Sequence, residues 1–435
     1  MIEENSTNRH LLKKEWVEDI VQLGKLGRKN SKRITMFEEI NASDGLSRME
    51  GSDEMRVSIE YLLKKMVEAE LEIFFDDIGN IYGVYNGSNT NLKKIATGSH
   101  LDSVFNGGMF DGVVGVVAAL EALRRLKQKG YLPKRSIVMC VFMGEEGSTV
   151  LESCVGSQFF CGKLSKEEIF GMESISGENF KKQLEITNRI NSNYPIQNFK
   201  VDDFKLFLEL HIEQGPVLEN NDIPIGIVNT IYGIISYKIS VDGVSNHAGS
   251  TPMDMRYDPL YGASQIISTI TSIITDLKGK EFKCVVTFDT VGVYPNSPSI
   301  IPNEVVLTVD ARSDMAEGLS FIDETIRKKV AQICSNLKLE YNIENIVDFE
   351  PVSLDANLIK VVQKASSNSN IAYKILPSGA IHDALHIAKT IPTSLIFVQS
   401  KNGISHSPFE WSTWEHIDKG VEILTTVLEN LSNDS

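Results

Sequence analysis

The chain has 435 residues, and at roughly 150 residues per domain this points to two or three domains. With 42% hydrophobic and 23% charged residues it has the make-up of an ordinary folded protein, which excludes a disordered chain or a coiled-coil rod. Its 43 Lys and Arg against 58 Asp and Glu give a net charge of −15, without the basic footprint of a nucleic-acid binder. Residues 1–14 are polar and carry no apolar run, so no secretory signal is expected. The most apolar helical stretch, 113–120, falls far short of the roughly 18 to 20 residues that span a bilayer, so no membrane partner is expected. The five cysteines are scattered and form no CxxC pair, which predicts a reducing, cytoplasmic location and no disulfide or thiolate-metal scaffold.

In chain order, 95–97 reads as a short buried strand running into the Gly-rich turn 98–102. Apolar residues at 113, 114, 116, 117, 120 and 123 place a stripe on one helical face, and Gly130 and Pro133 end that helix. The continuous apolar run 137–143 has the length of a buried strand and stops at Gly144-Glu145-Glu146-Gly147. Residues 204–210 read as a strand ending at His211, and 395–398 as a further strand followed by the loop that carries His406. Strands alternating with helices predict an α/β fold, a largely parallel mixed sheet flanked by helices.

The middle of the chain follows another pattern. Residues 236–241 and 305–310 alternate apolar and polar, with helical stretches at 262–277 and 319–337 among them. That mixture predicts an inserted antiparallel α+β domain with edges near Tyr232 and Ile346. The expected organisation is therefore 1–231 and 347–435 for the large domain and 232–346 for the insertion.

Ligands of open α/β sheets gather beyond the carboxyl ends of the strands. Four such ends carry metal-capable side chains: His100, Glu145-Glu146, His211 and, after a loop, His406, with Asp111 at the start of the helix after His100. Three imidazoles and two carboxylates without a thiolate suit Zn or Mn better than a structural zinc site. Five ligands exceed the needs of one tetrahedral ion. Two ions about 3.5–4 Å apart that share a carboxylate would use them all. Neighbouring residues leaving a strand point in opposite directions, so one of Glu145 and Glu146 binds metal while the other is free to move a proton. Asp102 is placed to hold the other ring nitrogen of His100.

Each piece also has a plain structural reading. His-x-Asp is commonly a turn, Glu-Glu a solvated surface, Asp111 a helix N-cap and His211 a buried, hydrogen-bonded histidine. His382 and His386 stand four apart on an expected helix, a spacing that also invites a metal reading, but packing is the simpler account of His386. The coincidence of four strand ends is what favours a site.

The motifs Gly98-Ser99-His100-Leu101-Asp102-Ser103, Gly107-Gly108-Met109-Phe110-Asp111-Gly112, Gly144-Glu145-Glu146-Gly147-Ser148 and Leu210-His211-Ile212-Glu213-Gln214-Gly215-Pro216 occur in that order. They are followed by Asn246-His247-Ala248-Gly249-Ser250-Thr251-Pro252-Met253, Pro295-Asn296, Asp310-Ala311-Arg312, Ser378-Gly379-Ala380-Ile381-His382-Asp383-Ala384 and Gly403-Ile404-Ser405-His406-Ser407-Pro408. From about Lys94 to the C-terminus the chain resembles the N-carbamoyl-L-amino-acid hydrolase and allantoate amidohydrolase family, within the aminoacylase-like dinuclear zinc peptidases.

The resemblance implies a zinc-peptidase-like catalytic domain with an inserted lid and dimerisation domain. It implies His100, Asp111, Glu146, His211 and His406 as ligands of two divalent ions per subunit, Zn or Mn with Co or Ni as alternatives, and Asp111 bridging. It makes Glu145 the general base and Asp102 the residue that orients His100. It assigns substrate binding to Gln214, His247, Asn296, Arg312 and Gly379, with His247 and Asn296 reaching a partner's site in a homodimer. In physical terms Arg312 offers a planar fork for a substrate carboxylate, and His247 a donor for an oxyanion.

The implied reaction is hydrolysis of the ureido C–N bond of a small carboxylate-bearing substrate, an N-carbamoyl-L-amino acid or a related ureido acid. Allantoate hydrolysis is the alternative, then an aminoacylase or dipeptidase, and last a non-catalytic binding module. Ile381 stands where the family commonly has Gly, Met109-Phe110 replaces a more polar pair, and Gln158-Phe159 departs from a basic-then-small pair. Residues 35–42 match the family's opening only loosely. None of these departures removes a ligand. They bear on the substrate.

Overall fold

The computed structural model describes residues 10–186, 189 and 193–434, so the polar N-terminal stretch lies outside the described residues up to position 9. The chain forms two compact units. One comprises Met1–Asn229, Leu354–Leu376 and His382–Ser435, the other Thr230–Ser353 and Pro377–Ile381.

In chain order the strands used below are β1 (Glu72–Phe75), β2 (Ile81–Tyr85), β3 (Lys94–His100), β4 (Ile137–Phe142), β5 (Phe204–Ile212) and β6 (Ile225–Ile231), then β7 (Gly233–Asp242), β8 (Cys284–Tyr294), β9 (Glu304–Ser313), β10 (Glu340–Phe349) and β11 (Thr393–Val398). The long helices used below are α1 (Val113–Gln128), α2 (Pro259–Thr275), α3 (Ala316–Leu337) and α4 (Trp414–Asn433). Among the described residues no helix is long and apolar enough to cross a membrane.

Among the described residues the large sheet has nine strands, seven of which run β1-β2-β4-β3-β5-β11-β6. Its centre, β4-β3-β5-β11, is parallel, and antiparallel strands flank it. This is the mixed, largely parallel sheet that the α/β pattern predicts. β3 continues to His100 and β5 to Ile212, so part of the expected Gly-rich turn and His211 itself belong to strands.

Alternation along the strands sorts the core. Ile137, Met139 and Val141 of β4 and Leu206, Leu208 and Leu210 of β5 join the cluster that includes α1 and α4. Intervening residues face the other way, where Phe142 meets Phe160 and Phe207. Glu209 and His211 share that second face, and the short helix Asp383–Ile387 packs there, with Ala384 N–H donating to Glu209 at 3.1 Å.

The second unit is a four-stranded antiparallel sheet of order β10-β7-β9-β8. One face buries Tyr237, Ile239 and Val241 with Val305, Leu307 and Val309 against Ile266 and Ile270 of α2 and Ile322, Ile326 and Val330 of α3. α2 begins sharply because Asp258 caps it, accepting the N–H groups of Leu260 and Tyr261 at 3.0 and 3.2 Å, with Pro259 in its first turn.

Candidate functional site

Because β4, β3, β5 and β11 are adjacent and parallel, their carboxyl ends lie on one edge of the sheet. There the structure brings His100, Asp102, Asp111, Glu145, Glu146, His211, Gln214 and His406 together. Two sets of potential ligand atoms, each within 4.8 Å of one another, share Asp111: His100–Asp111–His211 and Asp111–Glu146–His406. A third set, His100–Glu145–Glu146, has the same spacing.

The buried imidazoles are held by main-chain carbonyls. His211 Nδ1 donates to the Ile212 carbonyl at 2.9 Å, and His100 Nδ1 to the Asp102 carbonyl at 3.1 Å. Nε2 of each ring therefore faces the centre, and that of His211 accepts the Gly112 N–H at 3.2 Å. His406 is half exposed and sits at φ +53°, in the left-handed region.

Asp111 does not cap its helix. Gly112 occupies the cap of α1, and the Asp111 carboxylate turns to the imidazoles instead. Oδ1 lies 3.1 Å from His211 Nε2 and 3.6 Å from His100 Nε2, while Oδ2 lies 3.2 Å from His406 Nε2 and accepts from Gln214 Nε2 at 2.7 Å. Gly112 must be glycine: its φ is +64°, and a Cβ would come within 2.4 Å of the His100 ring.

Two local readings need correction. β4 ends at Phe142, so Glu145 and Glu146 stand in a turn where strand alternation does not operate, and both carboxylates enter the same cluster. Asp102 reaches His100 mainly through its carbonyl, its carboxylate Oδ1 being 3.6 Å away. That carboxylate instead accepts the main-chain N–H groups of Glu145 and Glu146, at 3.2 and 3.1 Å.

The electrostatics are those of a cation site. Burial pushes the Glu145 carboxyl well above its ordinary range, opposed by His100 and reinforced by Glu146, Asp383 and Asp102. Burial, joined by Asp111, lifts Glu146 to about 8. Burial works against the Asp111 charge as well, but His100, His211 and His406 hold its pKa well below the usual carboxylate value. Glu146 Oε1 is buried and has no hydrogen-bond partner among the described residues. Crowded carboxylates, imidazole nitrogens facing them and a buried oxygen without a hydrogen bond fit divalent ions, and an N/O set without thiolate fits Zn or Mn.

The remaining candidates lie in the second unit. Arg312 is already engaged: Nε and Nη2 fork onto Asp310 at 2.9 and 3.0 Å, and Nη1 donates to the Gly379 carbonyl at 2.8 Å. His247 is exposed, and its Nδ1 accepts the N–H groups of Gly249 and Ser250 at 3.0 and 3.1 Å, which puts the ring proton on Nε2. Asn296 is exposed at φ +50°. Met109 and Phe110 are buried, Phe110 lying 5.2 and 5.5 Å from the Trp411 and Trp414 rings, so this pair packs the core rather than lining a pocket. His386 is buried with Lys163 Nζ 3.1 Å from its Nδ1, a packing position, whereas His382 stands edge-on to His211 at 4.5 Å.

Several participants escape the sequence patterns. Glu209, on the His211 face of β5, accepts from Ser99 at 2.7 Å, and its signal was a lone carboxylate in an apolar strand. Cys154 donates its thiol to Glu145 Oε1 at 3.7 Å and its N–H to the Glu145 carbonyl at 2.9 Å. Glu410, buried, accepts from Phe110, Asp111 and Ser405, and nothing in its spacing marks it.

The comparisons agree with the motifs. N-carbamoyl-L-amino-acid amidohydrolase of Pseudomonas sp. (strain NS671) is 33% identical over 406 residues, covering 93% of this chain and 95% of that protein. Allantoate amidohydrolase of Escherichia coli (strain K12) is 32% identical, covering 89% and 93%. Among solved structures, an amidase of the hydantoinase/carbamoylase family from Burkholderia multivorans superposes with a TM-score of 0.85 at 29% identity, covering 98% of both chains. Peptidase family M20/M25/M40, whose members depend on metal, matches residues 96–430. With that match across most of its length, and with His/Asp/Glu groups able to hold metal, the chain belongs to peptidase family M20/M25/M40.

Proposed function

We propose that the protein is a metal-dependent amidohydrolase that cleaves the ureido C–N bond of an N-carbamoyl-L-amino acid or a closely related ureido acid. The observation that carries the metal reading is Asp111, whose Oδ1 faces His100 and His211 and whose Oδ2 faces His406. His100, Asp111 and His211 would hold one ion, and Asp111, Glu146 and His406 the second. Such ions supply Lewis acidity, making water at the centre more acidic and drawing charge from an attacked carbonyl. The substrate class is supported by the two amidohydrolase relatives.

Glu145 takes the proton of the attacking water and returns it to the departing nitrogen. Its backbone is held by Asp102, and burial makes its carboxyl a willing proton acceptor. His247, with its proton on Nε2, donates to the developing oxyanion, and Gln214 keeps Asp111 oriented. Arg312, Asn296 and Gly379 bind the substrate, Arg312 with the guanidinium N–H groups that Asp310 and Gly379 leave free. An N-carbamoyl amino acid would give the amino acid, ammonia and carbon dioxide. The second unit serves as lid and dimerisation domain, and the homodimer reading draws support from β8, an edge strand with exposed Val285, Val291 and Tyr294.

The test is product-identified turnover by protein reconstituted separately with zinc and manganese. The panel holds N-carbamoyl-L- and D-amino acids, allantoate, N-acetyl amino acids and dipeptides. Turnover confined to N-carbamoyl-L-amino acids supports the proposal. Allantoate as the best substrate selects the other ureido reading, and cleavage of acetyl or peptide amides alone overturns both.

A further inference from the structure

We propose that Glu410 is a positioning residue that ties the Asp111 turn to the His406 loop and thereby sets the affinity of the centre for its metal ions. The inference rests on reading Asp111 and His406 as ligands. Glu410 touches neither imidazole nor substrate, and acts through the backbone and one hydroxyl.

Its carboxylate is buried, and both oxygens are engaged. Oε1 accepts the N–H groups of Phe110 and Asp111 at 2.9 and 3.1 Å, and Oε2 accepts the Ser405 hydroxyl at 2.7 Å. The turn closes tightly over it: a Cβ on Gly108 would fall 2.2 Å from Oε1. The neighbours repeat the link, since the rings of Phe110 and Trp411 meet edge-to-face at 5.2 Å. Residues 110–111 are thus fastened to 410–411 by two hydrogen bonds and an aromatic contact.

The His406 loop needs such a fastening. His406 stands at φ +53°, a conformation that is strained for a non-glycine residue and persists only where surroundings impose it. Its side chain is 52% exposed, so packing does not hold it. The tie comes through Ser405, the preceding residue.

The same bond directs a proton. The Ser405 hydroxyl lies 2.7 Å from Glu410 Oε2 and 3.3 Å from Asp111 Oδ2, and it has one hydrogen to give. Given to Glu410, that hydrogen is not spent on Asp111 Oδ2, which accepts from Gln214 Nε2 at 2.7 Å, and Gln214 Nε2 also donates to the Ser405 oxygen at 3.2 Å.

The test titrates Zn²⁺, and separately Mn²⁺, into the full-length metal-stripped protein by calorimetry, with circular dichroism as the check on folding. Wild type is expected to take two ions per chain. Glu410→Ala is expected to weaken binding about 10–100-fold, the range for residues that support ligands. Glu410→Gln, which keeps the acceptor for the two N–H groups but turns an amide toward Ser405, is expected to fall between. Ser405→Ala cuts the tie to the His406 loop together with the Gln214 contact to that hydroxyl, is expected to weaken binding with the fold intact, and decides the matter if Glu410→Ala does not fold. Wild-type affinity for both ions in Ser405→Ala, or in a folded Glu410→Ala, overturns the proposal. A wild-type protein that binds no ion overturns the ligand reading beneath it, a distinct result.

Discussion

Asp102 holds Glu145 by its backbone: Oδ1 accepts the Glu145 N–H at 3.2 Å, and Oδ2 accepts the next N–H, that of Glu146, at 3.1 Å. One carboxylate thereby fixes the turn that carries both glutamates, while the carbonyl of the same residue fixes the His100 ring. Burial works against the Asp102 charge, but His100 and the two N–H groups keep its pKa below the ordinary value. Asp102→Asn replaces one acceptor by an NH₂ facing a donor. It is expected to lower kcat or metal affinity by about 10–100-fold. Steady-state kinetics and metal content measured together check this, and wild-type values for both would contradict it.

Glu145→Gln separates proton transfer from metal holding. The amide keeps the size of the side chain and its contact with the Cys154 thiol, yet it cannot take a proton. Turnover is expected to fall at least about 10²–10⁴-fold with metal content unchanged. Elemental analysis beside the rate assay checks the pair of outcomes. Unchanged activity would remove Glu145 from the mechanism.

Much of this arrangement was legible in the residues, and the rest was not for physical reasons. Apolar runs and periodicity locate β4, β5, β11 and α1, because a strand buried on both faces must be apolar throughout. Strand ends then pick out His100, His211 and His406 without any family. What periodicity cannot carry is a side chain acting across the fold. Glu410 bonds to Phe110 and Asp111 across 300 and 299 positions, and in its own loop it reads as one more surface glutamate. The opposed orientation expected for Glu145 and Glu146 failed because alternation belongs to strands and β4 stops three residues earlier. Arg312 illustrates a third limit: the alternation marks the strand that holds both Asp310 and Arg312, but not that the guanidinium forks onto the carboxylate two residues back on the same face.

Gly112→Ala tests the close approach of α1 to His100. The added Cβ would lie 2.4 Å from the imidazole at a backbone φ of +64°. The positive φ alone is expected to cost on the order of 1–3 kcal/mol, and the clash pushes His100 away from Asp111. The expected result is a lower denaturation midpoint together with weaker metal binding. A variant with wild-type metal affinity would show that His100 is not held where the geometry puts it.

His386 gives a stability signature that is independent of the metal centre. Burial, with Lys163 and then Lys389 adding repulsion, pushes its pKa down to about 3, whereas the unfolded chain has an ordinary value near 6.5. The Lys163 ammonium 3.1 Å from Nδ1 requires that nitrogen to accept, which fixes the neutral ring. Between pH 6.5 and about 3 the unfolded state therefore binds one more proton than the folded state, and stability falls as pH falls. The contribution of one proton is at most about 1.4 kcal/mol per pH unit. His386→Leu removes it, and Lys163, which is exposed, can turn to solvent. Urea unfolding of both proteins at pH 7, 6 and 5 should show the wild type losing more stability with acid than the variant. Parallel pH profiles would mean that His386 takes up its proton in the folded protein.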